Sequence, residues 1–164
     1  IYDLVEIWGS IVKKKPSAKL LIIGDGSERD KLENDIREKG LEKNIIVAGW
    51  KEGEEKYKLM KESKLFVYPS YQEAQPVVIF EAMACGLPVV VYNLSIYKEF
   101  FEGYISTVEP GNCEEFAEKI YDMFERKEIY DDVKKAREFA LKYDWKEIAE
   151  HQLSCIRSCG NLCR

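Results

Sequence analysis

Two carboxylates, Glu73 and Glu81, flank Pro76 with seven residues between them, and Ser70 stands just upstream. An ionised carboxylate accepts strongly from O–H donors, so such a pair suits a ligand rich in hydroxyls, such as a sugar. Pro76 fits the first position of a helix. The free N–H groups of a helix's first turn form an anion site. Loop 70–75 and the helix it opens therefore combine acceptors for sugar hydroxyls with donors for phosphate. Glu81 precedes Ala82 and Ala84, whose small side chains let a helix sit close on a sheet. A carboxylate beside such an apolar strip needs a partner if it is buried. The plainer alternative is two solvated helix carboxylates, with Glu73 favoured near a helix start by the dipole.

Two further constellations carry chemistry-bearing types. Gly24-Asp25-Gly26 follows an apolar run. It is a fragment of the dinucleotide fingerprint without a third glycine at the usual spacing, and it reads equally as a tight turn stabilised by Asp25. His151, Cys155, Cys159 and Cys163 recur every fourth residue. On one straight helix the outer pair would lie about 18 Å apart, too far for a single zinc ion. The alternative is a frayed tail with free thiols. Five cysteines in all, an odd number with wide spacing, do not form a secreted disulfide framework. A reducing, cytoplasmic setting is the simpler expectation.

Composition narrows the function classes. The chain has 164 residues, enough for one ordinary core. Its 25 Lys+Arg against 30 Asp+Glu give a net charge of −5. That acidic balance argues against general nucleic-acid binding, which needs basic excess. Apolar residues make up 46%, far from disorder composition. The longest uncharged run, residues 82–97, is interrupted by Gly86 and Pro88 and is too short to span a bilayer. The chain opens on Ile1 rather than Met, so it is expected to be a piece of a longer polypeptide.

The elements that must position these residues follow from periodicity. Ile1, Leu4, Val5, Trp8, Ile11 and Val12 mark an amphipathic helix closed by Pro16. Short apolar runs at 19–23, 44–48, 64–68, 87–92 and 104–108 read as strands buried on both faces. Helices are expected at 28–39, 54–63, 76–85, 96–101, across the stripe Phe116, Ala117, Ile120, Tyr121 and Phe124, and at 129–141 and 145–156. Alternating strands and helices give an α/β domain, a Rossmann-like parallel sheet with helices on both faces. Its span is 1–143. A further C-terminal helix is expected over 144–157, and a disordered tail over 158–164. In such sheets ligands bind at the carboxyl ends of the strands, where both Gly24-Asp25-Gly26 and loop 70–75 fall.

Residues 73–90, with Tyr68-Pro69-Ser70 before them and Gly86-Leu87-Pro88-Val89-Val90 at their end, resemble the E-x7-E signature of family 4 retaining glycosyltransferases, the group 1 glycosyl transferases of GT-B architecture. Leu21-Ile22-Ile23-Gly24-Asp25-Gly26 is similar to that family's second-strand turn, Val47-Ala48-Gly49-Trp50 to its third-strand exit, and the helix from Trp145 to its final helix. The resemblance covers the chain to about residue 156. It implies the C-terminal, donor-binding half of an enzyme that moves a sugar from a UDP- or GDP-sugar to a sugar or lipid-linked acceptor, with retention of configuration. By position, Glu73 is the catalytic-site carboxylate at the donor sugar and Glu81 the acceptor for ribose hydroxyls. Ser70 belongs to the donor loop. Backbone N–H groups of Gln75, Val77 and Val78, next to Pro76, face the diphosphate or sugar, and Gly24, Gly26, Trp50 and Lys51 frame the base. The pattern requires no metal and no further cofactor. It implies a separate N-terminal acceptor domain and, for the parent enzyme, a cytoplasmic setting with peripheral association at the inner membrane face, in polysaccharide, glycolipid or cell-surface glycan synthesis. The alternatives are a non-catalytic nucleotide-sugar or phosphate-binding module and a decayed interaction domain.

The chain departs from that pattern in three ways. The family's first strand, with its Gly-Arg…Lys-Gly turn, has no counterpart. In the order 3-2-1-4-5-6 that strand is central, between the strands at 19–23 and 64–68, and these two are expected to close the gap by pairing directly. Ala74 stands where the family has glycine, which requires a negative φ. Residues 93–99 lack the family's Gly-Gly pair ahead of the matching Glu99. Apart from these departures, the stripe Trp145, Ile148, Ala149, Leu153 and Ile156 is expected to be partly exposed or to pair with another copy, since in a parent enzyme it would help contact the other domain.

Overall fold

A computed structural model describes residues 1–125 and 130–160. Helix α1 (Tyr2–Lys14) leads to β1 (Leu20–Ile23), then α2 (Arg29–Glu38), β2 (Ile45–Gly49), α3 (Gly53–Glu62), β3 (Phe66–Tyr68), α4 (Val77–Ala84), β4 (Val89–Tyr92), α5 (Ser95–Phe101) and β5 (Ser106–Val108). Three helices close the chain: α6 (Cys113–Glu125), α7 (Tyr130–Ala140) and α8 (Trp145–Gly160). No helix among the described residues is long and apolar enough to cross a membrane.

All strand pairings are parallel, and each connection between consecutive strands runs through a helix. That is the α/β architecture expected of apolar strands alternating with amphipathic helices. The expected direct pairing across the gap does not occur. The strands form two sheets, β1-β2 and β3-β4-β5, and β1 and β3 face each other across an open groove. Two cores pack the sheets. One core joins α1, α2, β1, β2 and α6 through Val5, Trp8, Leu20, Leu32, Ile45 and Phe116, and reaches one face of β4 through Val90 and Tyr92. A second core joins α3, α4, α5, α7 and β4 through Met60, Ile79, Met83, Val91, Phe101 and Ala136. On the first of these faces α1 and α6 therefore pack against both sheets across the gap.

Local chemistry sets the element ends. Helix α4 stops at Ala84, with Cys85 as its C-cap and Gly86 at φ +77°. The amide of Gly86 donates to Met83 O, and that of Leu87 to Ala82 O, the glycine-terminated helix end that needs a left-handed residue. Pro76 caps α4 from outside rather than occupying its first position. Ala74 is not among the residues of positive φ, so alanine fits there without strain. Helix α8 continues through Gly160, so residues 158–160 are helical, and 161–164, with Cys163, lie outside the described residues. Along the α8 stripe, Ile148 is half-buried, while Ala149, Leu153 (51%) and Ile156 (67%) are exposed. Nothing is described for the Trp145 side chain.

Candidate functional site

Loop 69–76 leaves the carboxyl end of β3 and enters α4. Glu73 organises it from within. Its Oε1 accepts the backbone N–H groups of Ala74 (2.9 Å) and Gln75 (3.1 Å), and its Oε2 accepts from the Tyr68 hydroxyl (3.1 Å). Burial, then the neighbouring Glu73 charge, raise the Tyr68 pKa and keep that hydroxyl a donor. Ser70 Oγ donates to Gln72 O (2.7 Å). A second anchor comes from outside the loop. The Tyr71 hydroxyl donates to Asp3 Oδ2 on α1 (2.7 Å), and the same oxygen accepts from Tyr92 at the end of β4.

The expected row of free amides at the start of α4 is shorter than the sequence implies. The Gln75 N–H serves Glu73 and the Val77 N–H donates to Gln75 O (2.8 Å). Val78 N–H has no partner among the described residues, because the turn closed on Pro76 resumes only with Ile79 N–H to Pro76 O. Pro76 itself is buried and has no N–H to offer.

Glu81 sits on the second turn of α4 and is mostly buried, at 20% side-chain exposure. The carboxylate has the partner its position demands. Lys56 Nζ (2.6 Å) and the Tyr57 hydroxyl (2.8 Å), both on α3, donate to its Oε1. Its Oε2 has no protein partner among the described residues, which leaves one oxygen held and one ready to accept. Burial alone would lower the Lys56 pKa, but the hydrogen bond and charge of Glu81 outweigh it and raise it. The Glu81 hydrogen bond, then burial, raise that of Tyr57. Neither α3 residue was legible as a site residue. Tyr57 reads as part of the apolar face of its helix, and Lys56 as one of many surface lysines.

Tyr97 on α5 is a third group sequence reasoning misses. It is 1% exposed and its hydroxyl is buried without a partner among the described residues. Burial dominates the upward push on its pKa, with Glu73 and Tyr68 as the next contributors, so this hydroxyl lies on the Glu73 side of the fold. Glu99, by contrast, is exposed.

The base-side residues occupy the ends of β1 and β2. Gly24 has φ +145° and its N–H donates to Gly49 O (2.9 Å). A Cβ at Gly24 or Gly26 would meet nothing within 4 Å. The room for a ligand is present, and at Gly24 the backbone conformation also calls for glycine. Asp25 takes the turn-stabilising role, accepting from Gly26 N–H (2.8 Å) and Arg29 Nη1 (2.9 Å). Trp50 is 70% exposed, its indole N–H on Glu52 (3.3 Å), and Lys51 pairs with Glu55 (2.8 Å).

Comparison with known proteins places this arrangement. The family described as Glycosyl transferases group 1 matches residues 1–139. A poly(ribitol-phosphate) alpha-N-acetylglucosaminyltransferase of Staphylococcus aureus is 31% identical over 162 residues, 94% of this chain and 32% of its own length. The sulfoquinovosyl transferase SQD2 of Arabidopsis thaliana is 31% identical over 148 residues, 87% of this chain and 28% of its own. A crystal structure of a Staphylococcus aureus TarM mutant in complex with fondaparinux, alpha-GlcNAc-glycerol and UDP superposes with a TM-score of 0.84 at 30% identity, covering 94% of this chain and 32% of that one. The chain thus spans about a third of the length of these relatives. With the parallel α/β fold, the loop carboxylate and the matching sequence all in agreement, the chain belongs to the group 1 glycosyl transferases.

Proposed function

We propose that this chain is the donor-binding part of a retaining, family 4 glycosyltransferase, and that its ligand is a nucleoside-diphosphate sugar. The observation that carries the reading is Glu81, a mostly buried carboxylate with Oε1 fixed by Lys56 and Tyr57 and Oε2 left to accept. Vicinal ribose hydroxyls supply the O–H donors such an oxygen takes. Glu73, held by its own loop and Tyr68, stands at the donor sugar. The Val78 N–H and the start of α4 meet the departing diphosphate, whose developing negative charge is stabilised by preorganised donors. Gly24, Gly26 and the Trp50-Lys51 exit of β2 border the base. The TarM structure that resembles this chain was solved with UDP, which supports a UDP-sugar over other donors.

On this reading an acceptor-binding domain completes the cleft, and residues 1–164 alone bind donor without turning it over. The parent enzyme works on a sugar or lipid-linked acceptor at the cytoplasmic face of a membrane. Calorimetric titration with UDP-, GDP- and ADP-sugars tests the proposal. Millimolar or tighter binding of one of them, lost in Glu81→Ala, is the expected result. Binding that survives Glu81→Ala overturns the assignment of Glu81. Measurable transfer by the purified chain overturns the division of labour.

A further inference from the structure

We infer that Tyr71 and Asp3 are positioning residues for the donor sugar: a single hydrogen bond between them sets where loop 69–76 holds Glu73. The inference deepens the donor reading and rests on it, since Glu73 has sugar hydroxyls to meet only when a donor binds there. Most of the loop's bonds shape it without placing it. Glu73 accepts from the amides of Ala74 and Gln75, and Ser70 Oγ donates to Gln72 O. The Ser70 N–H returns to Tyr68 O, and the Val77 N–H to Gln75 O. Each of these closes within two residues. Tyr68 reaches Glu73 from the strand the loop leaves, five residues away. Such local bonds let the loop swing as one body about its two ends. Among the described residues, one side-chain hydrogen bond ties it to a distant part of the chain, Tyr71 to Asp3, 68 residues apart.

The far end of that tie is rigid. Asp3 lies in the first turn of α1, where the helix dipole favours a carboxylate. The oxygen that takes Tyr71, Oδ2, also accepts from Tyr92. Tyr92 is fully buried in β4 and packs edge-on against Phe116, with 5.3 Å between ring centroids. Helix α1 is fixed in the same core through Val5 and Trp8. A path of packed groups thus runs from the core through Tyr92 and Asp3 to Tyr71, two residues short of Glu73. The near end has little burial to hold it, because Tyr71 is 58% exposed. Its ring rests on that of Tyr92 at 5.1 Å. Gly111, in the turn ahead of α6, comes so close that a Cβ there would stand 3.4 Å from the Tyr71 hydroxyl. The hydroxyl therefore occupies a slot between Asp3, Tyr92 and Gly111, and the bond to Asp3 keeps it there.

The consequence is selective. Glu81 is fixed by Lys56 and Tyr57 on α3, so its grip on ribose does not depend on the loop. Glu73 sits on the loop and moves with it. A hydrogen bond to a charged group is worth about tenfold or more in affinity, and a freed loop forfeits it. Loss of the Tyr71–Asp3 bond strikes the sugar and spares the nucleotide.

The test compares Tyr71→Phe with the unmodified chain in two arms. Without ligand, amide exchange by NMR follows Ala74 and Gln75, whose N–H groups Glu73 holds, and Leu87, whose N–H closes the far end of α4 on Ala82 O. The expected result is exchange about fivefold faster or more at Ala74 and Gln75, with Leu87 unchanged. Equal acceleration at all three is a loss of global stability, and no acceleration at Ala74 and Gln75 means the loop needs no tie. Either result overturns the proposal. With ligand, calorimetry measures UDP, UDP-glucose and UDP-N-acetylglucosamine. Tyr71→Phe should bind the better of the two sugars about tenfold more weakly and UDP within about twofold of the unmodified chain. Equal weakening of UDP and sugar overturns the positioning role. Asp3→Ala should reproduce the split, and Asp3→Asn, whose amide oxygen still accepts, should recover most of it. An unmodified chain that binds none of the three ligands sinks the donor reading and the sugar role of Tyr71 with it. The ligand-free arm then still decides whether the bond to Asp3 sets the loop, so the two failures are distinguishable.

Discussion

Strands β1 and β4 are four-residue apolar runs of much the same character, Leu-Leu-Ile-Ile and Val-Val-Val-Tyr, yet their environments differ. All of β4 is buried, flanked by β3 and β5. In β1 only Leu20 is buried, and the three residues after it are half-exposed along the groove. Burial here is made by neighbours, not by the strand's own hydrophobicity. Strand β4 has a neighbour on each side, whereas β1, like β3 across the groove, has an open edge, here beside loop 69–76.

The sharpest way to break that comparison is to truncate side chains on each side. Ile79→Ala, in the fully buried core against β4, should cost about 3–4 kcal/mol through lost burial and a residual cavity. Leu21→Ala on β1 should cost about 1 kcal/mol, because its side chain is only half-buried. Urea denaturation of both variants measures the difference. Equal losses would mean the groove is closed in solution.

The next effect concerns the α3–α4 contact. Lys56→Met leaves Glu81 with Tyr57 alone and should cost about 2 kcal/mol, the penalty for stripping a partner from a mostly buried charge. It should also weaken donor binding, and Lys56→Arg should restore part of both. The Lys56 pKa is raised on folding from its ordinary 10.5. Its stabilising contribution is therefore complete below that value and lost as pH rises through the higher folded pKa. Donor binding limited by this pair should be flat from neutrality to about pH 9 and fall only in strong base.

Much of the fold was legible because its signals are local. The 3.6-residue stripe of α1, the apolar runs of the strands and the glycine stop at Gly86 each speak for themselves. The E-x7-E spacing that singles out Glu73 and Glu81 is local in the same way. What escaped was non-local. The partners of Glu81 lie 24 and 25 residues away on another helix, and those of Asp3 lie 68 and 89 residues away. The amides of Gln75 and Val77 read as free in sequence because nothing in their identity shows that the loop turns back on itself. The two-sheet division was hidden for a related reason, since no strand's composition states whether its second neighbour is present.

Asp3 sharpens the comparison, because it ties α1, packed on the β1 side, to the β4 sheet through Tyr71 and Tyr92. Asp3→Ala should cost about 1–2 kcal/mol and loosen loop 70–75. Burial works to raise its pKa, but the hydrogen bonds from Tyr92 and Tyr71 prevail and hold it below the ordinary 3.8. A depressed folded pKa stabilises above the unfolded value and is lost as pH falls through the folded one. The gap in stability between the variant and the parent should thus be constant above about pH 5 and shrink below 3.8.

The smallest structural effect is expected at the exit of β2, and there stability and binding should part company. Trp50 is largely in solvent and Lys51 holds only an exposed glutamate, so Trp50→Ala and Lys51→Ala should each alter stability by no more than about 0.5 kcal/mol. If the ring borders a base, its removal should still lower affinity, by about fivefold at the weak end of base–aromatic stacking, ~1 kcal/mol. Every base has a π-face, so stacking alone should scale the affinities for UDP and GDP together. A loss confined to one nucleotide would assign Trp50 a share in base choice. No loss for either would leave it a surface aromatic and move the base contact toward the Gly24–Gly26 turn, where there is open room and no side chain to discriminate.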